Sequence, residues 1–297
     1  MRRVTELAPA KLNLYLKVLR KRADGYHDIE TLFERIDIFD KIIVSSAKDG
    51  INIKCDNPSV PTEKGSLCYR AAELMKEKFS ARGGKAASGV AIEIEKHIPV
   101  AAGLGGGSSD AASILKAINN LWSLKLRREE LMEMAGFLGA DVSFFLADTS
   151  FAIGTDRGNR IKPINYAESF WHTVISPNIM LLSGEVYKLY SEVHPLNLTS
   201  TGSIDKILSP TLNISNISRL KALLHNDLES IVLSREPLIK AIKNTLAGDG
   251  ENSLVSGSGP SVFCLYETRK EALRAKENCL GRFPDSKGWR AYITKTY

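Results

Sequence analysis

Long hydrophobic runs are missing from this 297-residue sequence, and so is an uninterrupted apolar stretch near its start. A transmembrane helix needs about 20 mostly apolar residues in a row. A secretory signal needs a continuous apolar segment before a small-residue cleavage site. In the first residues of this chain, apolar side chains instead alternate with polar ones. We therefore expect a cytoplasmic protein that does not bind membranes.

Cysteine is scarce, and its four copies are not spaced as pairs. Cys55, Cys68, Cys264 and Cys279 form no C-x-x-C motif, and no pair of histidines completes a zinc-binding pattern. Internal repeats and low-complexity tracts are also absent from the sequence. The sequence therefore predicts reduced cysteines and no dedicated metal site.

A dense basic tract is missing as well, although the formal net charge is +6. An excess of positive charge is typical of nucleic-acid-binding proteins, but here basic residues are interleaved with acidic ones. The same excess suits an enzyme whose ligands are all phosphorylated. We expect small phosphorylated ligands and no nucleic acid, with an RNA-binding protein as the alternative. No sequence pattern indicates an oligomeric state.

Hydrophobic periodicity predicts alternating strands and helices along the chain. From Leu12 to Val18, apolar residues alternate with polar ones, so a strand with Lys11 and Asn13 on one polar face is predicted. Further strands are predicted at 41–46, 51–55, 90–95, 261–266 and 289–294. Helices are predicted at 111–122, 128–138, 217–231, 238–246 and 270–280. The polar segment 156–166 is the expected boundary between domains 1–160 and 161–297.

The most informative stretch is a glycine-rich loop between a predicted strand and a predicted helix. Its glycines permit positive φ angles and let backbone N–H groups approach a ligand. Ser108, Ser109 and Asp110 supply good N-terminal residues for the helix that follows, and the N-terminus of a helix favours an anion. The two serine hydroxyls could also touch a metal ion. No lysine follows the last glycine, so this is not a Walker loop, and a plain glycine turn is the alternative. The predicted phosphate-binding residues are Pro99, Val100, Ala101, Ala102, Gly103, Leu104, Gly105, Gly106, Gly107, Ser108 and Ser109.

Three motifs, in this order, resemble those of the GHMP kinases, the family of galactokinase, homoserine kinase and mevalonate kinase. They are Pro9-Ala-Lys-Leu-Asn-Leu14, the glycine-rich loop and Ser256-Gly-Ser-Gly-Pro-Ser-Val-Phe263, and together they extend over nearly the whole chain. The resemblance implies an α+β fold of two domains. The N-terminal domain would be like domain 2 of ribosomal protein S5, the C-terminal domain would be ferredoxin-like, and the active site would lie between them. It also implies that the loop binds ATP together with Mg²⁺.

Two further segments resemble one branch of this family, which phosphorylates a methylerythritol unit linked to cytidine diphosphate. They are Arg22-Ala-Asp-Gly-Tyr-His-Asp28 and Leu138-Gly-Ala-Asp-Val-Ser-Phe144. The implied reaction moves the γ-phosphoryl group of ATP to the tertiary 2-hydroxyl of that substrate. A kinase for homoserine or mevalonate is an alternative. So is a non-catalytic regulator that binds nucleotide on the same scaffold.

The resemblance implies two catalytic residues. Asp141 matches the family's catalytic aspartate, and it would accept the proton of the attacking hydroxyl. Lys11 would hold Asp141 ionised and offset charge on the transferring group. Each residue also has a purely structural interpretation. Asp141 could cap a helix that begins at Val142, and Lys11 could be a solvated strand lysine.

The resemblance also implies a pocket for the cytidine head. Asn13, Tyr26 and His27 would grip it, and Ser183 and Tyr187 would complete the pocket. An aromatic ring can stack on a base, while imidazole and amide groups can bind its polar edge. Structural alternatives are a core anchor for Tyr26 and an ordinary loop histidine for His27. Residues 257–259 are expected near the substrate phosphates, with a plain hairpin turn as the alternative.

Overall fold

A computed structural model describes residues 2–81, 89–164, 168–194, 217–248 and 252–297 of the chain. Its strands, in chain order, are β1 (Arg3–Lys21), β2 (His27–Ala47), β3 (Ile51–Cys55), β4 (Gly89–Glu95), β5 (Phe151–Thr155), β6 (Arg160–Ile164), β7 (Trp171–Ser176), β8 (His225–Asn226), β9 (Ser253–Val255), β10 (Val262–Tyr266) and β11 (Arg290–Lys295). Its helices are α1 (Leu67–Ala81), α2 (Gly106–Leu121), α3 (Arg128–Leu138), α4 (Ala140–Leu146), α5 (Ser183–Val193), α6 (Ile217–Leu223), α7 (Glu229–Arg235), α8 (Pro237–Ala247) and α9 (Arg269–Gly281).

The described chain separates into two compact units, each assembled from several segments. The first unit comprises Met1–Ala10, Ile38–Val100 and Gly105–Asp148. The second unit comprises Lys11–Asp37, Ala101–Leu104 and Thr149–Tyr297. The long strands β1 and β2 and the glycine-rich loop contribute residues to both units, so neither unit is one continuous stretch of sequence. The domain boundary expected at 156–166 stays a prediction, and residues 165 and 166 lie outside the described residues.

The first unit packs helices on one part of a sheet. Strand β4 pairs antiparallel with β2, from Lys41 opposite Glu95 to Ala47 opposite Gly89, and parallel with β3. Helix α2 contacts α1 and α4. Alternate side chains of β4 are buried, as the period of two predicts for a strand with one face on the core. The apolar core of this unit includes Met75, Ile92, Ile94, Ile114, Leu115, Ile118, Phe144 and Phe145.

The second unit contains the remaining strands. Strand β1 lies between β2 and β8, and β5 pairs with both β2 and β6. A separate four-stranded sheet has the order β11-β7-β10-β9. Its strands share one apolar core with β1, α5, α7 and α8, which includes Leu16, Val18, Val186, Leu228, Val232, Ile239, Val255 and Val262.

Most predicted elements are confirmed within one or two residues at each end, including β3, β4, α3, α8, α9, β10 and β11. Other predicted bounds are wrong: α2 begins at Gly106, before the predicted Ala111, and β1 is longer than the predicted Leu12–Val18. The predicted strand at 41–46 is only the end of β2, and the helix predicted at 217–231 is divided into α6, β8 and α7. The polar face of β1 is also not solvated, because Lys11 and Asn13 are 4% and 3% exposed. Strands β5, β6 and β7 were not predicted.

Two expectations from composition can be compared with the structure. All four cysteines lie in the described ranges, and none of them forms a disulfide. Within those ranges, no helix combines the length and apolar character that a membrane span requires.

Candidate active site

The glycine-rich loop leads directly into helix α2. The helix begins at Gly106, and the residue before it, Gly105, has a left-handed backbone and no side chain to cap the helix. The first internal hydrogen bond runs from Ser109 N to Gly105 O at 2.9 Å. The amides of Gly106, Gly107 and Ser108 therefore have no partner inside the helix, which makes this end suited to an anion. Ser108 and Ser109 lie in the first turn and do not precede it, so the expected helix start was placed too late.

The middle of the same loop, in the second unit, packs tightly on the third motif. Gly103 has φ +76°, and a Cβ at this position would lie 2.1 Å from the carbonyl oxygen of Ser256. The Ser256 hydroxyl donates to Gly103 O at 2.9 Å, and Ser261 N donates to Ala102 O at 3.3 Å. Two of the three motifs are therefore in direct backbone contact. Residues 257–259 do form the turn of the β9–β10 hairpin, and that turn also contacts the loop.

A buried lysine from the first motif lies beside this turn. The Lys11 ammonium donates to Asn13 Oδ1, and the Asn13 amide donates to Thr31 Oγ1 at 2.8 Å. A Cβ on Gly257, whose φ is +56°, would lie 3.0 Å from Asn13 Oδ1 and 3.5 Å from Lys11 Nζ. The prediction that Lys11 and Asn13 share one face of the strand is confirmed. The interpretation of Lys11 as a solvated strand lysine is wrong.

The Arg22–Asp28 segment forms the turn between β1 and β2, and Arg22 organises it. Arg22 N donates to Tyr26 O at 2.8 Å, closing the turn. The Arg22 guanidinium donates to Asp24 at 3.1 Å and to Asp28 at 2.7 Å, and it also contacts Asp156. A planar fork of five donors can satisfy several carboxylates at once, which a lysine cannot do. The arginine of this motif therefore fixes the backbone that presents Tyr26 and His27.

His27 meets helix α5 at the start of β2. Its ring stacks on Tyr187, with centroids 5.1 Å apart and planes 25° from parallel. Its Nε2 lies 2.6 Å from the Ser191 hydroxyl. Burial lowers the pKa of His27, and the charge of Lys21 lowers it further, so the ring is neutral at pH 7. His27 is only 7% exposed and begins a strand, so the interpretation as an ordinary loop histidine is wrong.

Two other residues proposed for the cytidine pocket have different surroundings. Tyr26 is 59% exposed, and the Arg157 guanidinium lies 5.0 Å above its ring, so the interpretation of Tyr26 as a core anchor is wrong. The Ser183 hydroxyl, at the start of α5, lies 2.7 Å from the hydroxyl of Ser258. Ser258 belongs to the turn of residues 257–259, which we call the glycine turn. Helix α5 therefore connects the glycine turn with the stack on His27.

Asp141 lies in the first turn of α4, which begins at Ala140 after Gly139. The capping interpretation is wrong, because a capping residue would precede the helix and Asp141 is its second residue. Lys11 and Asp141 belong to different compact units. Their meeting in one site stays a prediction.

Sequence reasoning did not identify a buried ionic cluster under the start of α2. The Lys96 ammonium donates to Asp110 Oδ2 at 2.8 Å and also to Asp40. Asp40 in turn accepts from His97 N at 2.6 Å and Ile98 N at 2.8 Å. A Cβ on Gly106 would lie 3.1 Å from Lys96 Nζ, so this cation lies directly beneath the first turn of α2. The position of Lys96 just before the loop was the available sequence signal.

Burial raises the pKa of Asp110 to about 7, and the neighbouring Asp40 adds to this rise while Lys96 opposes it. One Asp110 oxygen, Oδ1, is buried without a hydrogen-bond partner in the described part of the chain. An uncompensated carboxylate oxygen of this kind disfavours the charged form.

Asp110→Asn is expected to flatten the pH dependence of stability between about pH 4 and pH 7. Because the pKa of Asp110 is raised from 3.8 to about 7, the folded state binds this proton more tightly than the unfolded state. The stabilisation from this group is complete below the unfolded pKa and is lost as the pH rises through the folded one. Thermal midpoints at pH 5 and pH 8 measure this loss, with the exposed Asp49→Asn as control. An unchanged pH profile in Asp110→Asn would contradict the assignment.

The first unit also contains an open cavity of about 750 Å³, lined by Lys54, Cys55 and residues 57–63. Asp56 lies between the lining residues Cys55 and Asn57 in sequence, and its Oδ1 accepts a hydrogen bond at 2.9 Å from the backbone N–H of Lys96. A cavity of this size is in the range of small-molecule sites.

Comparison with known proteins identifies the class to which this fold and site belong. Residues 66–149 match the GHMP kinases N terminal domain, and residues 208–285 match the family described as GHMP kinases C terminal. The chain therefore belongs to the GHMP kinases, a family of ATP-dependent small-molecule kinases, and it has their two-domain fold.

Two curated relatives and one solved structure share a name within this family. The 4-diphosphocytidyl-2-C-methyl-D-erythritol kinase of Geobacter sulfurreducens is 39% identical over 298 residues, which covers 100% of both chains. The protein of the same name from Bacillus subtilis is 39% identical over 277 residues, covering 92% of this chain and 91% of its own. A crystal structure of 4-(cytidine 5'-diphospho)-2C-methyl-D-erythritol kinase matches with a TM-score of 0.75 and 32% identity, covering 99% of this chain and 100% of that one. The resemblance read from the motifs is confirmed.

Proposed function

We propose that this protein transfers the γ-phosphoryl group of ATP to the 2-hydroxyl of 4-diphosphocytidyl-2-C-methyl-D-erythritol, in the non-mevalonate route to isoprenoid precursors. One face of helix α5 is the observation that carries this proposal. Ser183, Tyr187 and Ser191 follow at intervals of four residues, so they lie on one side of the helix. Ser183 contacts the glycine turn, and the other two contact His27. These contacts would join a head-group pocket at His27 to the turn beside Lys11.

The cytidine head would bind at the His27 end of this face. A neutral imidazole offers one donor and one acceptor to the polar edge of a base, and burial keeps His27 neutral. Tyr187 and the exposed Tyr26 offer aromatic faces on which a base can stack. Ser183 would contact the substrate between its two ends.

The acceptor hydroxyl would bind at the other end, beside Lys11 and Asn13. A buried ammonium stabilises negative charge on a transferring phosphoryl group more strongly than a solvated one, because little water screens it. Asn13 accepts a hydrogen bond from Lys11 and so fixes the direction of that ammonium. Asp141 would take the proton from the 2-hydroxyl as the new P–O bond forms.

ATP would bind in the first unit and along the loop. The amides at the start of α2 would receive its phosphates, and its nucleoside would occupy the cavity lined by residues 57–63. Mg²⁺ takes few protein ligands when it binds with a nucleotide. The buried Ser109 hydroxyl, which has no hydrogen-bond partner in the described ranges, fits such a metal and would hold it. Bound there, Mg²⁺ would neutralise phosphate charge.

A cytoplasmic location belongs to the same proposal. None of the four cysteines forms a disulfide, which is typical of a reducing compartment, where ATP is also available.

His27→Ala is expected to raise the KM for the cytidine substrate roughly tenfold or more, because it removes a hydrogen-bonding edge and a stacking partner. The KM for ATP should stay within about twofold, since His27 is not among the residues proposed to bind ATP. Steady-state kinetics with each substrate varied in turn measure both effects. The matched control is His194→Ala, which removes a ring stacked on Tyr190 further along the chain. An unchanged substrate KM would remove His27 from the cytidine pocket.

Product analysis tests the proposed reaction directly. After incubation with ATP, Mg²⁺ and the cytidine substrate, phosphorus NMR should show one new phosphomonoester signal on the methylerythritol unit and an equal amount of ADP. Phosphorylation at another hydroxyl would contradict the proposed acceptor. Binding of both ligands without product would favour the non-catalytic regulator.

A further inference from the structure

The chain departs from helical structure between α6 and α7, where sequence periodicity alone predicts one continuous helix. His225 and Asn226 instead form β8, which pairs parallel with β1 at Tyr15 and Leu16. Asp227 N continues this pairing by donating to Leu16 O at 2.9 Å. We call residues 225–229 the anchoring segment, because its polar side chains bind to β1, to the end of β9 and to the glycine turn.

The Asn226 side chain donates both of its amide protons, one to the glycine turn and one to the strand before it. Its Nδ2 donates to Val255 O and to Gly257 O, each at 2.8 Å. Its Oδ1 accepts from Leu228 N at 2.9 Å. The residue is only 7% exposed, so water cannot easily replace these bonds. A buried amide engaged on three sides holds its partners in one arrangement.

The two acidic residues of the anchoring segment extend this connection in both directions. Asp227 accepts from Val18 N at 2.8 Å and from the His225 ring at 2.6 Å. Burial alone would raise the pKa of Asp227, but these hydrogen bonds outweigh it and keep the pKa below its usual value. Glu229 accepts from Val255 N at 2.9 Å. The segment therefore grips β1 on one side and the end of β9 on the other.

These bonds lie close to the place where the glycine turn meets the first motif. Strand β1 carries Lys11 and Asn13 a few residues before the part that Asp227 grips. Gly257, whose carbonyl Asn226 holds, is the residue whose added Cβ would approach Asn13 Oδ1 to 3.0 Å and Lys11 Nζ to 3.5 Å. A small shift of the turn would therefore change the surroundings of the Lys11 ammonium.

We propose that Asn226 is a positioning residue for phosphoryl transfer, which acts by holding the glycine turn against Lys11 and Asn13. It contacts no reacting group. This inference rests on the proposed function, because it assigns Lys11 a part in the transfer step.

The test variant is Asn226→Asp, which keeps the size of the side chain but replaces both N–H donors by a carboxylate facing two carbonyl oxygens. We expect kcat to fall about tenfold to a hundredfold, because small misplacements in an active site have effects of that size. The KM for ATP should change less than about threefold. Asn226→Ser, which keeps one donor, should show a smaller loss and serves if the aspartate variant does not fold.

The matched control is Asn119→Asp in the first unit. The Asn119 amide also bridges a backbone turn, with bonds to Leu126 O at 3.1 Å and Leu126 N at 3.0 Å. Its replacement should lower the thermal midpoint and leave kcat unchanged. If Asn119→Asp loses as much kcat as Asn226→Asp, the effect of Asn226 on kcat is not specific, and the positioning role is contradicted.

Two readouts separate this inference from the proposed function. In single-turnover experiments on a Lys11→Met background, Asn226→Asp should cause little further loss, because its effect passes through Lys11. An equal loss in both backgrounds would overturn the proposal. Hydrogen exchange of residues 253–262 should become faster in Asn226→Asp, and this readout needs no turnover. If the wild-type protein shows no transfer, the proposed function fails, and unchanged exchange would independently overturn the anchoring role.

Discussion

Asp141→Asn is expected to bind ATP and the cytidine substrate normally but to lose about 10²- to 10⁴-fold in kcat. The amide matches the carboxylate in size, so the first turn of α4 should keep its structure. It cannot accept the proton that must leave the attacking hydroxyl. Calorimetry for each ligand and single-turnover rates would separate binding from transfer.

A control is needed because Asp141 also lies near the positive end of a helix dipole. Glu129 occupies the first turn of α3 in the same unit, and it is exposed. Glu129→Gln removes the same charge from an equivalent helical position, and it should leave kcat unchanged. Near-normal turnover in Asp141→Asn would remove Asp141 as the proton acceptor.

Gly103→Ala is expected to destabilise the protein by about 2 to 5 kcal/mol, through left-handed backbone strain and overpacking. The added Cβ would lie 2.1 Å from the Ser256 carbonyl oxygen and 3.1 Å from that of Gly259. Both obstacles are backbone atoms, so no side-chain rotation can relieve them. Urea unfolding would measure the change, and a loss below about 1 kcal/mol would show that the loop can separate from the glycine turn.

Gly107→Ala is the matched control within the same loop. A Cβ there would meet nothing within 4 Å, and the residue already lies in the first turn of α2. Stability should therefore be unchanged or slightly higher, since alanine favours helices over glycine. The KM for ATP should rise, because the methyl group would occupy space that the phosphates need. A loss of stability in Gly103→Ala and a higher KM for ATP in Gly107→Ala would show that Gly103 allows close packing and that Gly107 leaves space for ATP.

Local sequence patterns predicted the elements whose stability is local. Helices α3, α8 and α9 have clear periodicity and clear ends, and their predicted bounds agree closely with the structure. The anchoring segment shows why other predictions failed. The side chains of Asn226 and Asp227 form hydrogen bonds with partners up to 209 residues away in sequence, and those bonds override the local helical pattern. The turn-forming character of Asn and Asp was the available signal.

The residues of the candidate site could be proposed from the sequence, but their arrangement could not. Motif resemblance selected Lys11, His27 and Tyr187, and the structure shows how each of them is supported. The link between Ser183 and Ser258 joins residues 75 positions apart, and nothing in their local sequences indicates it. The same holds for Lys96, whose two carboxylate partners come from different elements.

The most direct test of the proposed function is ADP release from ATP and Mg²⁺ with three acceptors offered separately. These are 4-diphosphocytidyl-2-C-methyl-D-erythritol, homoserine and mevalonate. The proposal predicts turnover with the cytidine compound alone, and loss of that turnover in Asp141→Asn. Turnover with homoserine or mevalonate would be consistent with phosphate binding by the glycine-rich loop. It would contradict the roles proposed for His27 and Tyr187. No turnover with any acceptor, from folded protein that still binds ATP, would contradict the assignment as a kinase.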